Sequence, residues 1–257
     1  IKKNKIFYKN LFFPNSKINY AENLLRKKNE EIAINFFSEN LLEKKITWKK
    51  LYENVCRFSH CLKKIDLKEK DRVAAYVPNS IEAIIAFLST SKNGLIWSSC
   101  SPDFGADGVI DRFSQIKPKI LITCEYYFYN GKKINILEKI PKILKKIKSI
   151  KKVIVFPYAN KFEKKINPKY LDFYSIIKKS KIDETFKKFT FNHPLYILYS
   201  SGTTGVPKCI THGAGNVLLE HNKEFSLHFN IKNNDKIFYY TTTGWMMWNW
   251  LVGGLSS

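Results

Sequence analysis

The residues with the most evident chemistry lie between Leu195 and His212, in the string LYILYSSGTTGVPKCITH. Ser200-Ser201-Gly202-Thr203-Thr204-Gly205 places no bulky side chain in six positions, and Pro207 and Lys208 close the stretch. This composition suits a polyanion. Glycine lets the backbone approach phosphate oxygens and adopt positive φ. Successive N–H groups then form an anion-binding concavity. The hydroxyls add neutral donors, and the Lys208 ammonium adds a point charge. The spacing is not that of the common triphosphate loop, G-x-x-x-x-G-K-[ST] leading into a helix. Gly202 and Gly205 are three apart, Lys208 follows three later, and Pro207 intervenes. A Ser/Gly-rich surface turn would account for any one of these residues, but less well for SSGTTGVPK as a whole.

Two strands must hold this loop. Leu195 to Tyr199 is a short apolar run of aromatic and branched residues, a buried-strand pattern, and Cys209-Ile210-Thr211 reads as a second strand. Upstream, Ile32 to Phe37 alternates weakly, and a helix runs from Trp48 to about Leu62 with Thr47 as its cap. Arg72 to Val77 is a buried strand stopped by Pro78. Asn79 or Ser80 then caps a helix with the apolar stripe Ile81, Ile84, Ile85 and Leu88, ended by Gly94. Ile96–Ser98 (strand), Gly105–Ile116 (helix) and Lys119–Cys124 (strand) follow. Asp103 is expected to cap the helix after it. Further on come a helical region from Ile134 to about Ile147, kinked or restarted at Pro141, a strand at Val153–Phe156 and a short helix at Leu171–Ile177. Gly213 to Asn230 reads as a helix and Lys236 to Tyr240 as a strand. This alternation predicts an α/β fold, a layered α/β/α arrangement with mostly parallel sheets.

The chain has 257 residues, 44% hydrophobic and 15% aromatic, enough for a sizeable core. No apolar run reaches the ~18 residues that span a bilayer. Five scattered cysteines, Cys56, Cys61, Cys100, Cys124 and Cys209, form no C-x-x-C. They are expected to be free thiols in a reducing compartment, so the expected location is cytoplasmic. His221, Glu224 and His228 share a helix face at a spacing that matches no zinc signature, and no metal site is expected. The formal charge of +22 raises a nucleic-acid-binding module as an alternative. Against it, forty of the 44 basic residues are Lys and only Arg26, Arg57, Arg72 and Arg112 are Arg, whereas phosphate- and base-reading sites favour the arginine fork. The expected partners are small molecules, with no specific nucleic acid and no membrane span.

YSSGTTGVPK resembles the phosphate-binding loop of the adenylate-forming superfamily, which includes acyl-CoA synthetases, luciferases and peptide-synthetase adenylation domains. Phe12–Leu25 (FFPNSKINYAENLL), Trp97–Lys119 (WSSCSPDFGADGVIDRFSQIKPK) and Thr241–Leu255 (TTTGWMMWNWLVGGL) are similar to its acetoacetate-activating branch. The resemblance implies that residues 1–257 are an incomplete N-terminal AMP-binding domain without the small C-terminal domain, inactive alone. It implies an acid–thiol ligase. A carboxylate attacks the α-phosphorus of ATP, pyrophosphate leaves, and the thiol of coenzyme A then displaces AMP. ATP, Mg²⁺ and coenzyme A are the implied co-substrates.

By the same resemblance, Ser200, Ser201, Gly202, Thr203, Thr204, Gly205 and Lys208 take the β- and γ-phosphates. Gly244, Trp245, Met246, Met247, Trp248 and Asn249 line the acyl pocket, with the alternative that the large ones are simply core. No residue here is an obvious catalytic acid, base or nucleophile. Related enzymes contact the coenzyme A 3′-phosphate through an arginine in the stretch matching Tyr126–Lys133; here only Lys132 and Lys133 are available. Another short-chain acyl-CoA synthetase, for acetate, propionate or butyrate, is the nearest alternative.

Overall fold

The computed structural model of the protein describes residues 1–6, 10–39, 41–200 and 205–257. β1 (Lys17–Ile18) leads through Asn19, whose side chain accepts from the Glu22 N–H, into α1 (Tyr20–Leu24). β2 (Ile32–Ser38) and β3 (Leu42–Thr47) form an antiparallel hairpin. β3 has no clear sequence signal, because charged Glu43, Lys44 and Lys45 disguise its alternation. The half-buried Lys44 is neutralised by Glu82, 2.9 Å away and itself buried. Thr47 caps α2 (Trp48–Lys64) by accepting from the Lys50 N–H at 3.2 Å.

The central alternation follows: β4 (Arg72–Tyr76), α3 (Ile81–Lys92), β5 (Ile96–Cys100), α4 (Ala106–Ile116) and β6 (Ile120–Cys124). Ser80, not Asn79, caps α3, accepting from the Ala83 N–H at 3.2 Å. Every residue of α3 is buried, so the helix is enclosed on all sides rather than by one stripe. Asp103 does not cap α4, which follows Gly105 without a side-chain cap. Its carboxylate accepts instead from Ser101 Oγ at 2.5 Å and Tyr127 OH at 2.9 Å.

A hairpin follows β6 and takes in Ile134 and Asn135, so the helical region expected from Ile134 starts later. β7 (Tyr126–Tyr129) and β8 (Lys132–Asn135) pair across Asn130-Gly131, whose φ values are 50° and 70°. An Asn-Gly pair tolerates two consecutive positive φ, which the tight turn demands. A 3₁₀ turn then enters α5 (Ile140–Lys146), with Pro141 in its first turn. β9 (Lys152–Phe156), β10 (Leu171–Asp172), α6 (Phe173–Lys179) and β11 (Phe189–Thr190) lead to β12 (Pro194–Ser200) and β13 (Lys208–Gly213).

α7 (Ala214–Lys223) runs without a gap into a π-helical turn at Glu224–His228, so the expected helix is continuous but closes in a wider last turn. No strand forms at Lys236–Tyr240, where Phe238 and Tyr240 are each 83% exposed. α8 (Met246–Gly253) follows.

The main sheet runs β10-β9-β6-β4-β5-β12-β13, parallel throughout except for β13 against β12. Short apolar strands covered by helices produce this buried parallel arrangement. α3 and α8 meet β5 and β12 on one aromatic cluster. The Phe87 ring lies 5.7 Å from Trp97, 6.1 Å from Tyr196 and 5.8 Å from Trp248. Trp97 and Trp248 stack at 6.2 Å and 21°. Such pairs each add about 0.5–1.5 kcal/mol beyond area burial. The cluster therefore sets the strand that leads into the Ser/Thr/Gly loop and the helix that follows the Gly-Trp turn.

Candidate functional site

β12 carries Ser200 at its end and β13 starts at Lys208, and these two residues are cross-strand partners. The two strands thus form an antiparallel pair up to Ser200 and Lys208. Ser201, Gly202, Thr203 and Thr204 lie outside the described residues. Gly205 has φ +147°, a conformation that L side chains rarely adopt, with nothing near the position of a Cβ. Lys208 is exposed and Ser200 half-buried. On the neighbouring strand, the Ser98 hydroxyl donates to the Ile197 carbonyl at 2.8 Å and lies 3.1 Å from the Tyr199 hydroxyl. Burial pushes the Tyr199 hydroxyl well above the usual phenol range, so it stays a neutral support.

The second candidate stretch sits at the carboxyl ends of β4 and β5, where open α/β sheets bind ligands. Thr243 is buried, and its Oγ1 donates to the Val77 carbonyl at 2.6 Å. Its own carbonyl accepts from Ser99 Oγ at 2.7 Å. A Cβ built on Gly244 would lie 3.0 Å from the Phe104 ring and 3.3 Å from the Ser101 nitrogen, tight enough to force a neighbour to move. Phe104 also packs against Arg112, whose guanidinium carbon is 4.1 Å from the ring centroid and 5.9 Å from that of Tyr199. Gly244, Phe104, Arg112 and Tyr199 thus form a contact chain from the Gly-Trp turn to the base of the hairpin.

The six residues expected at the acyl pocket do not share one environment. Trp245 and Met246 are 66% and 48% exposed, and Met247 is half-buried. Trp248 is fully buried, stacked on Trp97, and its indole Nε1 donates to Asn79 Oδ1 at 2.9 Å. That places Trp248 in the core reading rather than on an open pocket wall. Asn249 is also fully buried, with neither amide atom hydrogen-bonded among the described residues.

Elsewhere, Lys133 pairs with Glu163 and lies 4.0 Å over the Tyr126 ring. Lys132 is exposed. The three residues considered as a ligand set have other surroundings. His221 is buried against Gly253, and Glu224 pairs with Lys223 at 2.9 Å and lies 3.9 Å from His228.

Ser99, Arg112 and Gln115, all within the stretch WSSCSPDFGADGVIDRFSQIKPK, carry no signal of their own in the sequence. Helical spacing puts Gly108, Arg112 and Gln115 on one face of α4. Only the fold shows which loop that face meets.

Residues 21–255 match the family described as AMP-binding enzyme. The chain is 47% identical over 255 residues to acetoacetyl-CoA synthetase of Gallus gallus, covering 96% of this chain and 38% of that protein. It is 43% identical over 251 residues to acetoacetyl-coenzyme A synthetase of Rhizobium meliloti, covering 95% of this chain and 38% of that protein. The solved acetoacetyl-CoA synthetase from Streptomyces lividans superposes with a TM-score of 0.90 at 36% identity, over 96% of this chain and 38% of that one. The chain therefore spans little more than a third of the length of these relatives.

Proposed function

Because this chain belongs to the AMP-binding enzyme family, we propose that the protein carrying it activates acetoacetate with ATP and transfers the acyl group to coenzyme A. In the first half-reaction a carboxylate oxygen of acetoacetate attacks the α-phosphorus, and the bond to the β-phosphate oxygen breaks. Pyrophosphate leaves and acetoacetyl-adenylate remains. In the second, the coenzyme A sulfur attacks the acyl carbon, the thiol proton is lost, and AMP departs.

Two anions must be gathered and held in line, so positioning and charge neutralisation carry the catalysis. The Ser200–Gly205 loop and Lys208 take the β- and γ-phosphates in this reading, with Thr203 and Thr204 as direct donors. ATP enters as its Mg²⁺ complex, in keeping with a hard cation that prefers phosphate oxygens and water. Gly244 keeps the turn beside Phe104 and lets the acid lie against the strand ends. All five cysteines are free, which fits a cytoplasmic setting. Among the described residues no helix is long and apolar enough to cross a membrane. The chain is read as part of the large N-terminal domain, with small-molecule partners and no specific nucleic acid.

The observation that carries this reading is the placing of the Ser200/Lys208 hairpin and the Thr243-Gly244 turn against the same strand, β5. The test is acid-dependent ATP–pyrophosphate exchange on the protein containing this chain, comparing acetoacetate with acetate, propionate and butyrate. Acetoacetate is expected to support the fastest exchange. Faster exchange with another short acid reassigns the substrate, and no exchange with any acid overturns the reading.

A further inference from the structure

We propose that Gln115 is a positioning residue for the phosphate-binding arm, acting through Lys208. The inference rests on the reading of that hairpin as an ATP site and adds a residue from a distant helix to it. Gln115 lies in the last turn of α4. Its Nε2 donates to the Asp111 carbonyl of its own helix at 2.8 Å and to the Pro207 carbonyl at 2.9 Å. Its Oε1 accepts from Cys209 Sγ at 3.5 Å.

Both amide protons are thereby used, and the two contacts to the hairpin bracket Lys208 in sequence. A primary amide is the side chain suited to this task, since it offers donors and an acceptor in one plane. Pro207 cannot donate from its own nitrogen, so its carbonyl is what an outside group can hold at this corner. α4 is itself held beside the other half of the site through Phe104 and Arg112. The consequence is that the chain on either side of Lys208 is tied to α4 before ATP arrives, by a backbone carbonyl at Pro207 and a thiol at Cys209. An exposed lysine without such a clip would lose more freedom on binding the triphosphate.

The test is acetoacetate-dependent ATP–pyrophosphate exchange for the wild type, Gln115→Ala, the isosteric Gln115→Glu, Lys208→Ala and the Gln115→Ala/Lys208→Ala pair. Gln115→Glu retains an acceptor for Cys209 but removes the donor to Pro207. Thermal unfolding of each variant confirms that it is folded. Both Gln115 variants are expected to raise KM for ATP about fivefold to tenfold, the effect of one net hydrogen bond, with KM for the acid unchanged. In the Lys208→Ala background the Gln115→Ala change is expected to have no further effect, because a residue acting through Lys208 has nothing left to position. Active wild type with unchanged Gln115 variants, or an equal loss in both backgrounds, overturns the inference and leaves the ATP reading standing. A wild type without exchange on any acid overturns both.

Discussion

The Ser99 hydroxyl donates to the Thr243 carbonyl at 2.7 Å across 144 residues of sequence. This bond fastens the Gly-Trp turn to β5, the strand that also pairs with β12 at Tyr196 and Trp97. Replacing Ser99 by Ala would leave a buried carbonyl without its donor. We expect a loss of about 1–3 kcal/mol in urea-unfolding free energy, with a larger relative rise in KM for the acid than for ATP. Unchanged kinetics would separate this turn from the acyl site.

Lys208→Ala should weaken ATP use by about tenfold to a hundredfold in pyrophosphate exchange, the range for one hydrogen bond to a charged group. An exchange rate equal to that of the wild type would remove Lys208 from the mechanism.

Trp248 sits in the aromatic core, so its replacement should register first as instability. Trp248→Ala is expected to cost about 3–5 kcal/mol on chemical unfolding. Trp248→Phe keeps a ring beside Trp97 and Phe87 but leaves the Asn79 acceptor unpaired, and should cost less. A Trp248→Ala protein of normal stability with altered acid preference would return this residue to the pocket wall.

His221 of α7 is buried against Gly253, and its Nδ1 has no hydrogen-bond partner among the described residues. Burial drives its pKa down to about 4 from an ordinary 6.5, against the opposing pull of Glu220 and Glu224. The unfolded chain therefore takes up the proton first. The stabilising contribution is complete above pH 6.5 and is lost as pH falls towards 4, by roughly 3 kcal/mol. Unfolding midpoints measured from pH 7.5 to 4 should show this slope, and His221→Asn should flatten it. Equal slopes in the two proteins would count against His221 as the group responsible.

Gly244→Ala adds a methyl group 3.0 Å from Phe104. Phe104 or the turn must shift, and the shift reaches Arg112 through its stacking on the same ring. The expected result is a severalfold rise in KM for the acid with a smaller change for ATP, measured by the same exchange assay. A variant with wild-type KM values would show that the turn tolerates a side chain there.

Local patterns in the sequence determined a good deal. The strand before the Ser/Thr/Gly loop, the strand after it, the Thr47 cap, and the parallel alternation from Arg72 to Cys124 are all written in neighbouring residues and appear in the fold. The Asn130-Gly131 hairpin is equally local, an Asn-Gly pair between two runs that pair as β7 and β8.

Tertiary structure alone decided the rest, because the deciding contacts cross long stretches of chain. Lys44 occupies a half-buried strand position only because Glu82 is there to meet it. Lys236 to Tyr240 has strand-forming residues, but a strand also needs a partner edge, and propensity does not supply one. Trp248 could line a pocket or fill a core on its composition alone; its packing against Trp97 and Phe87 and its bond to Asn79 come only from the fold. Gln115 reads as an ordinary exposed helix residue until α4 is laid beside Pro207, 92 positions away. Spacing along a chain reports which side chains share a face, whereas what that face touches is set by the packing of whole elements.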